Sequence, residues 1–172
     1  MHHHVLRIFQ REVERQCRFA LLAHDDLERA LTAADMDRIW YAAQNILVAV
    51  GNVSKLLWPP SPKIPDRAQE LRDSLGVSSP SVLEPREFRN HFEHFDERLE
   101  SWAMSSAHRN LIDSNVSPGP LIAGLASGDY LRNSDTAQHA VTFRGDIYIL
   151  RPILAAVSGL HEIAFREGHR RP

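Results

Sequence analysis

Arg89, Asn90 and His94 are the residues whose types and spacing could do chemistry together in this chain. An arginine guanidinium matches the geometry of a phosphate and can stabilise charge developing on it. A histidine, with an ordinary pKa of about 6.5, can give or take a proton at neutral pH. An asparagine amide can orient either group. Two other arginine–histidine pairs compete. Arg86 and His91 have the same separation, but Glu87 follows the arginine. Arg132 and His139, with Asn133 between them, lie where the chain reads as loop or strand.

The positioning element is a helix predicted over Arg86–Trp102. Phe88, Phe92, Phe95, Leu99 and Trp102 recur at helical period and form one apolar stripe. Asn90, His94, Glu97 and Ser101 fall on a line away from it. Arg89 and His94 stand about 140° apart on an ideal helix, so one helix does not complete a site. Two chains related by a two-fold axis would bring two such sets into one cleft. His91 and His94 with Glu87 or Glu97 could reach one ion, but no other cluster supplies ligands, and no metal is expected.

Other elements must hold this helix in place. Val5 to Ala33 reads as a long amphipathic helix with Leu6, Phe9, Val13, Cys17, Ala20, Leu27 and Leu31 on its apolar face. Cys17 reads as a small core residue, and His24 as a partly buried one. Thr32 or Asp35 caps a second helix to about Leu57, with Ile39, Ala43, Ile46, Val50 and Val53 as its stripe. Trp40 and Leu47 widen that stripe, which implies more than one neighbour. Asn45 and Asn52 share a face and read as polar surface. The prolines from Pro59 to Pro65 end the helix. Asp66 to Leu75 is a short helix closed by Gly76. Short strands are expected near Asn110–Asp113 and Tyr130–Asn133. The clearest hairpin signal is Val141–Phe143 and Ile147–Leu150 around Arg144-Gly145-Asp146. Pro152 opens a last helix with Ile153, Val157, Leu160 and Ala164 inside and His161 in a structural role. Its basic end, Arg166 to Arg170, is expected to fray.

The totals fit one domain over residues 1–172, with an insertion at about 107–150. A net charge of −2 excludes global attraction to nucleic acid, so phosphate binding must be local. One cysteine excludes a disulfide framework. No apolar run approaches a membrane span and no signal peptide is evident, so a cytoplasmic protein is expected, without membrane partners. Met1-His2-His3-His4 resembles a tag remnant and is set aside.

Arg89-Asn90-His91-Phe92-Glu93-His94 resembles the RNxxxH motif of HEPN (higher eukaryotes and prokaryotes nucleotide-binding) domains. The likeness covers the bundle layout from Val5 to Ser106 plus the last helix. It implies a mainly α fold, an up-and-down helical bundle, here with a small antiparallel β-hairpin or sheet before the last helix. It also implies a metal-independent, cofactor-free endoribonuclease whose site is shared across a homodimer. His94 would exchange a proton with the 2′-hydroxyl or the leaving group, Arg89 would bind the scissile phosphate, and Asn90 would orient phosphate or histidine. Arg86, His91 and Arg98 would add substrate contacts. The setting would be a toxin or phage-defence system, with a protein antitoxin as a further partner. Some family members are inactivated by adenylylation of a tyrosine two residues after the motif histidine; Asp96 stands there, and that regulation is not expected. The alternative is a non-catalytic module of the same kind that binds nucleotide, RNA or protein.

Overall fold

The computed structural model describes residues 2–85, 90–91, 94–105, 111–117, 125 and 127–170. Helices dominate it. They are α1 (His3–Ala33), α2 (Met36–Leu57), α3 (Arg67–Leu75), α4 (Phe95–Ser105) and α5 (Leu150–His169). Four short strands, β1 (Asn115–Ser117), β2 (Arg132–Asp135), β3 (Ala140–Phe143) and β4 (Asp146–Ile149), precede the last helix. This is the mainly α architecture expected.

α1 is the central rod, with α2 and α5 packed along it. Its buried positions Val13, Cys17, Ala20, Ala23, Leu27 and Ala30 follow helical spacing, and the small side chains among them allow close approach. Burial pushes the Cys17 thiol up to about 12, with Glu14 adding to the effect, so it is a core residue in chemistry as well as place. The wide face of α2 is explained by its neighbours: Trp40 and Leu47 are buried together with the main stripe, and α2 meets both α1 and α3.

The connections satisfy the helix ends. Asp35 caps α2, its carboxylate accepting the Arg38 N–H at 3.1 Å. The open carbonyls at the end of α2 accept from α3: Arg67 Nη1 donates to Leu56 O at 2.8 Å and Arg72 Nη1 to Leu57 O at 2.6 Å. α5 is helical through His169, so Arg166 lies in regular helix where a frayed end was expected. Gly168 there packs on Arg11, whose Nε donates to its carbonyl at 2.9 Å.

The sheet has order β1-β2-β3-β4. β2, β3 and β4 are antiparallel neighbours, but β1 pairs parallel with β2, so the sheet is mixed where an antiparallel one was expected. The first two strands also lie further along the chain than the sequence suggests. The Ile112–Tyr130 bridge lies within both expected stretches, and β2 overlaps the second at Arg132 and Asn133. The hairpin turn is Arg144-Gly145, both with positive φ, which is the primed two-residue turn that matches strand twist. Asp146 is therefore the first residue of β4 and pairs with Phe143. Val141 joins the bundle core, while Phe143, on the same face, joins Trp102 and Leu131 in a second cluster.

The α1–α2 corner yields opposite expectations at adjacent residues. Ala34 sits at φ 51, in the left-handed region that favours glycine. Ala34→Gly should stabilise the fold by about 0.5 kcal/mol, and Asp35→Ala should cost about 1 kcal/mol. Urea midpoints of the two variants check both signs.

Candidate functional site

The motif segment reaches the described structure at Asn90, His91 and His94. Arg86 and Arg89 lie outside the described residues, as do Phe88 and Phe92 of the apolar stripe. Two bonds of helical spacing link the segment's described residues: His94 N–H donates to Asn90 O at 3.1 Å, and Arg98 N–H to His94 O at 3.0 Å. The polar line holds. His94, Glu97 and Ser101 are exposed, and Asn90 is half-buried.

Of the described members of the predicted stripe, Phe95 and Trp102 are seated and Leu99 is not, and His91 and Arg98 join the seated face. Leu99 is exposed, whereas His91 and Trp102 are buried and Phe95 and Arg98 are half-buried. His91, Phe95, Arg98 and Trp102 follow the same helical spacing. The cause is what lies beneath. This face rests on the small sheet: Phe95 and Trp102 pack with Leu131, Phe143 and Tyr148. Trp102 Nε1 also donates to Gly128 O at 3.1 Å.

His91, expected among the substrate-binding residues, faces the sheet. Its ring stacks on Phe143 with centroids 4.5 Å apart and meets Tyr148 edge-on at 6.0 Å. Nε2 lies 3.0 Å from Asp146 Oδ2. Burial pushes the imidazole below its ordinary value of 6.5; Asp146 opposes this, and Arg98 and Arg144 reinforce it. The arrangement anchors the motif segment to β3 and β4. Sequence reasoning missed Asp146, Phe143 and Tyr148 as partners. Asp146 was read as part of a turn, and its contact with His91 bridges 55 residues.

His94 has the opposite environment. Its side chain is 53% exposed, and Nδ1 lies 3.6 Å from Glu97 Oε1. At that distance the exposed Glu97 is an ionic neighbour and not a hydrogen-bond partner of the imidazole. Arg98, the other described candidate, has a buried Nε with no hydrogen-bond partner among the described residues. Exposed Asp96, Glu97 and Glu100 share this helix.

The competing Arg132–His139 arrangement is dispersed. Arg132 Nε donates to Asp113 Oδ1 at 2.8 Å, and the guanidinium lies 5.4 Å from the Trp40 ring centroid and 5.0 Å from that of Phe95. Burial works against the Asp113 carboxylate, but Arg132 outweighs it and holds the group below its ordinary value. Asn133 is buried, its side-chain oxygen accepting from Asn115. His139 turns towards α1, with Nδ1 3.9 Å from Glu28 Oε1. Glu28 also lies 3.4 Å from His24 Nε2, and His161 Nε2 lies 3.4 Å from Glu14 Oε1.

No helix among the described residues is long and apolar enough to cross a membrane, and none of their His, Cys, Asp and Glu side chains gather in a group of three that could hold a metal ion. No family model, curated protein or solved structure matches the chain.

The depressed His91 pKa sets a pH dependence. The folded state favours the neutral ring, so the unfolded chain binds more protons as pH falls below 6.5. Stability should therefore fall on acidification from 6.5 through the lower folded value, and level off below it. His91→Gln should remove that part of the dependence. Denaturant unfolding across the range measures it.

Proposed function

We propose that this chain is a metal-independent endoribonuclease of the HEPN kind, working as a homodimer in the cytoplasm. The observation that supports this best is the contrast between two histidines three residues apart: His91 packs onto the sheet beside Asp146, and His94 is exposed to solvent. A helix anchored by one imidazole can present the other at a fixed place, as general acid–base work requires.

In this reading, His94 Nε2 takes the proton of the RNA 2′-hydroxyl as its oxygen attacks the adjacent phosphorus. The P–O5′ bond breaks, and the leaving 5′-oxygen takes a proton from the His94 imidazolium, giving a 2′,3′-cyclic phosphate. Arg89 binds the non-bridging phosphate oxygens and stabilises the charge growing on them. Asn90 orients the phosphate or the imidazole. A second protomer supplies the remaining basic groups. Arg86 and Arg98 would hold neighbouring phosphates, and the buried His91 would serve by positioning the helix. A toxin or phage-defence setting, with a protein antitoxin, accords with this activity.

Exposed Asp96, Glu97 and Glu100 repel phosphate beside His94, which opposes catalysis there and gives weight to a second reading: a non-catalytic module of the same kind, or a dimeric protein-interaction domain. The two readings part in one assay. RNA cleavage should persist in EDTA and fall at least about a hundredfold in His94→Ala and in Arg89→Ala. Mixing the two inactive variants should restore part of the activity if the site is shared between chains. Full activity in either variant removes that residue from the mechanism. RNA retention without turnover by the unaltered chain selects the binding module.

A further inference from the structure

The outer side of α1, away from the core, carries a seam of its own. From Glu12 it steps through Arg15, Phe19, Leu22, Asp26 and Arg29, alternating three and four residues as in a coiled coil. Its two central side chains are large, apolar and open to solvent: Phe19 is 45% exposed and Leu22 54%. Exposed Tyr41 and Val48 of α2 line the same groove and widen the apolar strip.

The order of charges along this seam is self-complementary in one direction only. About a two-fold axis between Ala20 and Leu21, an antiparallel copy sets Phe19 against the partner's Leu22. The same register sets Arg15 against the partner's Asp26 and Glu12 against the partner's Arg29. Every position meets its complement. A parallel copy in register would set arginine on arginine and aspartate on aspartate.

Within one chain, Arg15 Nη1 already lies 2.8 Å from Glu12 Oε2, and Arg29 pairs with Asp26. Docking would join these pairs into two four-charge networks flanking an apolar centre. The face is also large enough. At about 1.5 Å rise per residue, Ile8 to Ala33 spans about 38 Å. With two neighbouring helices about 20 Å across, that is roughly 750 Å² per copy, close to the ~800 Å² a stable interface takes from each partner.

We propose that a second copy of this chain docks here, α1 antiparallel to α1, so that two α1–α2 hairpins form one four-helix unit. This interface rests on the seam residues and not on the ribonuclease reading, whose shared site needs a two-fold contact at the motif segment; the charge-reversal variants alter the α1 seam alone.

The test uses sedimentation velocity on the full chain and its charge-reversal variants. The unaltered chain should be a dimer at micromolar concentration. Arg15→Glu, which sets two carboxylates opposite each other, and Asp26→Arg, which sets two guanidinium groups opposite each other, should each raise the dimer dissociation constant at least about tenfold. An equimolar mixture of the two variants should recover dimers, because each chain then meets its opposite charge on the partner. Mixing leaves every contact within a chain unchanged, so recovery separates docking from misfolding. Leu22→Glu should also give monomers with unchanged helical circular dichroism. A monomeric unaltered chain, unaltered dimerisation in all three variants, or no recovery on mixing overturns the proposal.

Discussion

The guanidinium of Arg132 is where the parts of this molecule are tied together. It starts β2, faces Trp40 of α2 and Phe95 of α4, and is neutralised by Asp113 in the segment leading to β1. Bundle, sheet and motif helix therefore meet on one cation. A partly buried charge is tolerated only when paired, and its attraction to two aromatic faces adds about 0.5–2 kcal/mol each. Asp113 is as necessary as the arginine, because its loss would leave an uncompensated charge against aromatic walls. The sheet is small, but it provides the floor on which α4 rests. The described residues of this region, 111–117 and 127–149, are in this sense part of the scaffold of the candidate site.

From that floor the two faces of the motif segment acquire different chemistry. His91 gives up solvent for Phe143 and Asp146, which fixes the rotation of the helix about its axis. Once that rotation is fixed, His94, Glu97 and Ser101 can only face outward. Arg144 Nη1 reaches Ser101 Oγ at 3.1 Å across the gap between the β-turn and the helix. Burial and exposure are thus divided between two histidines three residues apart.

Much of this was legible in the sequence. The bounds of α1, α2 and α3 follow from apolar spacing with Asp35 and Gly76 as punctuation, and the inner face of α5 from Ile153, Val157, Leu160 and Ala164. Arg144-Gly145 announces its own turn. The first two strands were displaced because Asn115-Val116-Ser117 and Arg132-Asn133-Ser134-Asp135 carry almost no apolar alternation. Their polar side chains are held by bonds to each other, such as Asn115 to Asn133, rather than by hydrophobic period. The seating of His91 was hidden for a related reason. Periodicity locates an apolar stripe, but a histidine can take a stripe position when an aromatic ring and a carboxylate await it 52 and 55 residues away in the chain. Arg132 looked like part of a rival catalytic set because a structural and a functional arginine are the same letter. Only Trp40, Phe95 and Asp113 around it tell them apart.

Cys17 has a consequence outside catalysis. It is the chain's single thiol, wholly enclosed at the middle of the central helix and held protonated far above neutral pH. Reagents that attack thiolates meet nothing reactive while α1 stays seated between α2 and α5. The rate at which this sulfur is alkylated therefore counts excursions of the whole bundle, which gives the protein a built-in clock for its own opening.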